Sequence, residues 1–385
     1  MLRAFTPETK TDVMKIQSIQ TTCPTIPLKP AYHMITALGE HTDSTYVVLR
    51  LTTDSGIEGF GEATVSVRWS GETPAGAVDV IENVLFPAIR DYDVEDIEGI
   101  ADRMDKSSIG NWFAKSAIEM ACWDAVGKQQ QKPVYDLLGG AVRPLAIRSR
   151  FSMGAYDVPR ARERAGQLLE LGFTTIKVKV GTDPQQDVER VRAVRDVIGA
   201  DIDLVIDANC GWSADTAIAC LAQLADCQVS LVEQPTPKGD FQALARVRRE
   251  AGVRILADDI CFDLSDAREL IHNECCDAIS VYPGKNGGII RSRQIVDLAA
   301  EHGIPCSIGS NLEYDVATAA MGHLVVSHQN MDVEQIPGDL LGPDYHEQSI
   351  AINPIQIEGP ITTLNDQPGL GVELDWESLC GRSGQ

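Results

Sequence analysis

No apolar run in the sequence approaches the roughly 20 residues that cross a bilayer. The opening residues MLRAFTPETKTD also lack the apolar centre of a signal peptide. Neither a membrane span nor secretion is expected. Cations are scarce: 33 Lys and Arg stand against 56 Asp and Glu, a net charge of −23. That balance opposes nucleic acid and anionic lipid, which attract basic clusters, and favours a small-molecule partner. The ten cysteines include no C-x-x-C, and the seven histidines no H-E-x-x-H. A structural zinc site and a disulfide framework are therefore not expected; reduced thiols in the cytoplasm are. G-x-x-x-x-G-K-[ST] is missing, and no G-x-G-x-x-G follows a first strand, which removes the phosphate-loop and dinucleotide readings.

What is present divides by grammar. Residues 1–13 read as a loose extension, because strand-like patterning starts at Met14. Residues 14–144 read as an α+β domain: the strands IQSIQTTCPTIPL and STYVVLRLTTD, then helical text such as AKSAIEMACWDAVGK. From 145 to 334 strand runs alternate with amphipathic helices about every 25 residues, the rhythm of a (β/α)7–8 TIM-type barrel. Seven strands are clear, near 147–153, 174–179, 203–207, 230–233, 254–258, 278–282 and 305–309; an eighth, near Asp332, is weaker. Residues 335–385 form a C-terminal segment expected to return to the first domain. The fold class is α/β, a barrel with an N-terminal α+β cap.

Three of these strands end in acids: LVID at Asp207, LVE at Glu233 and ILADD at Asp258-Asp259. The acids stand 26 and 25 residues apart, one barrel unit each, so they gather at the C-terminal rim where barrel active sites form. Three such carboxylates repel one another without a cation. Oxygen donors alone suit Mg²⁺, with Mn²⁺ also possible. The preceding strand, TIKVK, puts Lys177 and Lys179 on one face, at the same mouth. Burial beside a cation favours a neutral amine, and so a base. The bland alternatives are a helix cap for a lone acid and charge neutralisation or snorkelling for the lysines.

With K-x-K, D-x-N (Asp207, Asn209), E-Q-P (Glu233), the Asp258-Asp259 pair, PVYDLLGG and PGLGVELD, the chain resembles the enolase superfamily, in its muconate-lactonizing branch of the mandelate racemase/muconate lactonizing enzyme family. The resemblance implies Mg²⁺ on Asp207, Glu233 and Asp258, with Asp259 the alternative third ligand. It implies Lys179 as the base that takes the α-proton of a carboxylate substrate, giving an enediolate, with Lys177 as a supporting cation. A cytoplasmic homo-oligomer is implied too.

The sequence departs from the family on the sixth strand. Two-base members read K-x-x-K-x-G-G there, and this chain reads YPGKNGG, with Tyr282 at the first position and Lys285 at the second. A phenol is a reluctant base but can donate a proton. Either Tyr282 serves, or Lys285 swings into the site, or Lys285 pairs with a ligand acid. Racemisation needs a group on each face of the intermediate, so the missing lysine tilts the expectation toward a cycloisomerase or dehydratase. An amino-acid or dipeptide racemase/epimerase using Lys179 with Lys285 or Tyr282 is the alternative. A Schiff-base aldolase and a non-catalytic carboxylate-binding homologue come from other classes. Glu313, Asn209, Tyr32 and Arg68 are the expected substrate contacts, the last two on cap loops at 22–38 and 65–73, where Trp69 also lies.

Overall fold

The computed structural model describes residues 13–382, so the expected extension lies outside the described residues but for Val13. In the cap, β1 (Ile16–Thr22), β2 (Val47–Thr53) and β3 (Glu58–Ala63) form an antiparallel sheet in that order. Helix α1 (Trp112–Gln130) lies against it and is buried on nearly all sides, which is why it carries no apolar stripe. A Cβ on Gly59 or Gly61 of β3 would collide with the Ala121 or Ala117 carbonyl of α1, so only glycine permits this approach.

The second domain is the TIM-type barrel. Strands β4 (Phe151–Met153), β5 (Thr175–Lys179), β6 (Asp203–Asp207), β7 (Val229–Glu233), β8 (Arg254–Ala257), β9 (Ala278–Val281) and β10 (Cys306–Ile308) pair in parallel, in chain order. Helix starts after four of these strands are fixed by local caps. Asp157, Asp183, Ser213 and Asp240 each accept an N–H three residues on, at 2.9 to 3.1 Å. Short capped connections hold the strand ends in register, and the strand ends carry the site.

Two expectations need correction. The first strand, read as 147–153, is broken: Ala146–Arg148 pairs with Ile361–Thr363 in a separate antiparallel sheet, and only Phe151–Met153 joins the barrel. The break turns Arg150 inward, and its N–H donates to the Gly338 carbonyl at 2.8 Å. The eighth position holds an irregular segment instead of a ladder strand. Asp332 N–H reaches Cys306 O at 2.8 Å and Asp339 N–H reaches Ile308 O at 3.3 Å, so 332–339 bridges β10 to β4. Pro337 in this stretch has no N–H for a ladder.

Cap and barrel meet through two buried acids. Glu119 of α1 accepts from Ile289 N–H (2.6 Å) and Ile290 N–H (2.9 Å), at the start of α2 (Ile289–Glu301). Glu62 of β3 accepts from Tyr314 N–H (2.7 Å) and Ala317 N–H (3.0 Å), at the start of α3 (Asp315–Ser327). Each carboxylate meets unpaired helix donors, where negative charge is favoured. The C-terminal segment also touches the cap: Leu370 N–H donates to Asp124 at 2.8 Å, and Trp376 stacks on Phe60.

Candidate active site

Strand register assembles the site. Lys179 of β5, Asp207 of β6 and Glu233 of β7 are direct cross-strand neighbours, one row around the rim, and Asp258 follows immediately after β8. All five residues of β5 are buried because both faces of a barrel strand are covered. Lys177 and Lys179 therefore cannot snorkel. Lys177 Nζ donates to Asp207 Oδ2 at 3.0 Å and to both Glu233 oxygens at 3.1 Å. Lys179 Nζ donates to Asp207 Oδ2 at 2.5 Å and to Asn209 Oδ1 at 2.8 Å. Asn209, at φ 40°, donates its own N–H to Asp207 Oδ1 at 2.9 Å, which turns its side chain back toward the lysine.

Burial alone would raise the Asp207 carboxyl, but Lys179 and Lys177 outweigh it and hold it well below the usual carboxylate range. Burial would lower the Lys179 amine, yet Asp207, Glu233 and Asp259 raise it above the ordinary lysine range. Among the protein's own groups the balance thus favours the ammonium, the reverse of the lowered amine expected beside a cation. Glu233 is raised by burial and by Asp207, against Lys177 and Arg150.

Lys285 does not swing into the site. Its Nζ is fully buried and donates to Asp258 Oδ1 (2.7 Å), Asp258 O (2.9 Å) and Ser280 O (2.7 Å). All three ammonium donors are spent. Tyr282 instead lines the cleft, and among the described residues its hydroxyl has no hydrogen-bond partner. Burial, then Asp258 and Glu313, push its phenol well above the ordinary tyrosine range, so it keeps its proton.

The cleft over the strand ends holds about 850 Å³ of empty space, the open solvent at its mouth included. Lys177, Lys179, Asn209, Glu233, Asp258 and Tyr282 line it, and Arg68 reaches it from the cap. Two expected substrate contacts stand elsewhere. Tyr32 packs edge-on against Phe151 and Tyr345, below the cleft wall. Glu313 turns its carboxylate into its own loop, accepting from Ser310 Oγ (2.7 Å) and Asn311 N–H (3.0 Å). Asp259 faces away too: its Oδ1 accepts the Trp69 indole N–H, and burial with Asp258 and Asp207 pushes its carboxyl up to about 7.

Two contributors went unread in the sequence. Arg150 donates to Glu233 Oε2 at 2.7 Å. Asp339 lines the cleft from the irregular eighth position, accepting from Ser152 Oγ at 3.1 Å. No motif flags either, since each sits where regular strand structure fails. The cap hairpin at Met34–His41, which continues the expected loop at 22–38, lines the cleft as well.

Among the described residues no three Asp, Glu, His or Cys side chains already converge in a metal-holding cluster. The reason is visible: each acid is turned to a cation, Asp207 to both lysines, Glu233 to Lys177 and Arg150, and Asp258 to Lys285. The donor set itself fits a hard divalent cation, with carboxylate oxygens on three successive strands and no sulfur or nitrogen ligand among them.

Barrel, cap and rim acids define an enzyme of the enolase class. Residues 16–139 match the mandelate racemase/muconate lactonizing enzyme N-terminal domain, and 160–378 match the enolase C-terminal domain-like family. The chain belongs to the mandelate racemase/muconate lactonizing enzyme family. It is 33% identical over 361 residues to a hydrophobic dipeptide epimerase of Enterococcus faecalis, covering 93% of this chain and 99% of that one. A dipeptide epimerase from that organism, solved with Mg and the dipeptide L-Leu-L-Tyr, superimposes with TM-score 0.88 at 32% identity over 94% of this chain and all of that one. An N-succinyl-L-Arg/Lys racemase of Bacillus cereus is 30% identical over 95% of this chain and 97% of its own. The B. cereus racemase structure gives TM-score 0.92 at 29% identity, covering 97% and 99%. Muconate cycloisomerase 1 of Rhodococcus opacus is 29% identical over 95% and 98%. These relatives are isomerases. The chain is an enolase-superfamily enzyme, and the tilt toward cycloisomerase or dehydratase chemistry gives way, because epimerases and racemases match at least as well.

Proposed function

We propose that the protein is a racemase or epimerase acting at the α-carbon of an amino-acid-derived carboxylate, either an N-acylated amino acid or a dipeptide. The observation that carries this reading is the shared cleft of Lys179 and Tyr282. Their strands, β5 and β9, stand four positions apart in a ring of eight, so the two side chains approach a bound molecule from opposite sides. The epimerase and racemase relatives support it further.

Asp207, Glu233 and Asp258 would hold Mg²⁺; Asp258 is favoured over Asp259 because it faces the cleft. When bound, such a cation stabilises the negative charge that gathers on a substrate carboxylate as its α-proton leaves. A dication held beside Lys179 opposes the ammonium and favours the neutral amine that a base requires. Lys177, bonded to both Asp207 and Glu233, is placed to meet the substrate carboxylate. The Lys179 amine then takes the α-proton, and the bonding pair moves into the carboxylate. The Tyr282 phenol delivers its proton to the opposite face of the carbon. Asn209 positions Lys179, and Arg68, which has no carboxylate partner among the described residues, suits an anionic group at the substrate's far end.

Cycloisomerisation on one face is the second reading, supported by tyrosine at the position of the second lysine. Incubation of the Mg²⁺-loaded enzyme with N-acyl amino acids and dipeptides in D₂O separates the readings. Deuterium at the α-carbon of inverted product is expected, and EDTA should abolish it. Exchange without inversion would favour the one-faced reaction. Absence of exchange, with a borohydride-trapped adduct, would overturn both in favour of a Schiff base.

A further inference from the structure

One side chain joins the cap loop to the proposed proton donor. Trp69 lies between β3 and the helix that begins at Pro74, in a turn closed by Ser66 O accepting from Trp69 N–H (3.1 Å) and Ser70 N–H (2.8 Å). Its ring stacks on Tyr282 with centroids 5.9 Å apart and planes 10° from parallel. Phe113 meets it edge-on at 5.7 Å, and Phe262 lies tilted at 5.4 Å. The indole N–H donates to Asp259 Oδ1, which fixes the in-plane orientation of the ring as well as its plane. Lys238 Nζ adds a contact to the Trp69 carbonyl at 3.4 Å.

Tyr282 is buried in the core at 1% exposure, but its polar end is not tied down. Its hydroxyl bonds to nothing among the described residues, so no hydrogen bond sets the direction of the phenol. Lys285 Nζ sits 4.8 Å from the ring centroid, and the bare backbone of Gly309 leaves the space for one ring edge. A Cβ on Gly309 would run into that edge. The Trp69 face is thus the contact that sets the ring's angle on the cleft side, and it comes from the cap.

We infer that Trp69 is a positioning residue for Tyr282: the cap loop aims the phenol at one face of the substrate α-carbon. This rests on the two-faced reaction proposed above. The consequence is asymmetric. Disturbing Trp69 slows proton delivery to the Tyr282 face more than exchange at the Lys179 face, because Trp69 stacks directly on Tyr282 and reaches Lys179 only through the Asp259 carboxylate between them.

The test compares wild type with Trp69→Phe, Trp69→Leu and Tyr282→Phe, each loaded with Mg²⁺, in D₂O with each enantiomer of a substrate. The readout is the ratio of inversion to exchange with retention. Tyr282→Phe is expected to lower that ratio by about 10²- to 10⁴-fold, the usual worth of an acid–base group. Trp69→Leu should lower it by about 10²-fold, the cost of a misplaced catalytic group. Trp69→Phe, which keeps a ring but loses the indole bond to Asp259, should fall between wild type and Trp69→Leu. An unchanged ratio in Trp69→Leu would overturn the inference. So would an equal fall of both rates with weakened Mg²⁺ binding, since that marks a merely structural role. Independently of turnover, tyrosine-¹³C spectra should show the Tyr282 ring signals, assigned by their loss in Tyr282→Phe, changing position in Trp69→Leu as the stacked ring is removed. Signals that stay in place would refute the stack. Should wild type exchange only one face while those signals do move, the two-faced reaction fails and the Trp69–Tyr282 contact stands.

Discussion

Strands β5 and β9 face each other across the cleft and treat their lysines in opposite ways. The Lys179 side chain is 11% exposed, lines the cleft, and shares its ammonium with Asp207 and the side chain of Asn209. Lys285 is 0% exposed and spends all three donors on Asp258 and Ser280, away from the cleft. One lysine opens on the cleft; the other is a buried counter-ion that holds an acid in place. Residue type is the same, so the difference comes from where the chain leaves each strand. Lys179 is the last residue of β5 and stays in strand geometry, whereas Pro283 starts a helical turn that folds Lys285 back beneath the rim.

The largest effect that would break this contrast belongs to Lys179→Ala. α-Proton exchange in D₂O should fall about 10⁴-fold, the upper range for a lost general base. Mg²⁺ affinity by calorimetry should hold, because Asp207, Glu233 and Asp258 remain. Exchange that survived would remove Lys179 as the base. Next comes Lys285→Met, which leaves the Asp258 carboxylate buried without its cation. Unfolding in urea should show a loss of about 3–5 kcal/mol, the cost of orphaning one member of a buried pair. A variant of wild-type stability that had lost exchange would make Lys285 the second acid–base group and erase the contrast between the strands.

The chemistry of the rim was legible because barrel spacing and strand alternation are both periodic. Three acids one unit apart and K-x-K on the preceding strand define a row around the rim, whatever the loops do. Arg150 and Asp339 were not legible, because each sits where regular structure fails, at the break between 148 and 151 and in the eighth position. Tyr32 and Glu313 point away from where they were expected for a related reason. Loop residues of the right chemistry lie in the right neighbourhood, but their direction depends on packing partners distant in sequence, such as Tyr345 for Tyr32. The expectation for the reaction leaned on one substitution, Tyr282, read as a lost group, whereas the epimerase and racemase relatives fit the alternative better.

A further effect sharpens the contrast between acids paired with cations at the rim and acids met chiefly by N–H donors. Glu62 belongs to the second kind: burial, against the N–H donors of Ala317 and Tyr314, pushes its carboxyl up to about 8. Glu119 is pushed up to about 7 by burial, against Ile290 and Ile289. Both folded-state values exceed the unfolded carboxylate near 4.3. The folded chain therefore binds more protons between those values, and stability must fall as pH rises across the interval. Their contribution is complete below the unfolded value and gone once pH passes about 8. Glu62→Gln keeps the shape and has nothing to titrate. It should flatten that part of the decline, roughly 4 kcal/mol at about 1.4 kcal/mol per pH unit, in urea unfolding followed from pH 5 to pH 8.5. An identical slope in the variant would mean that Glu62 is already ionised at the start of α3, its charge met by the helix donors alone.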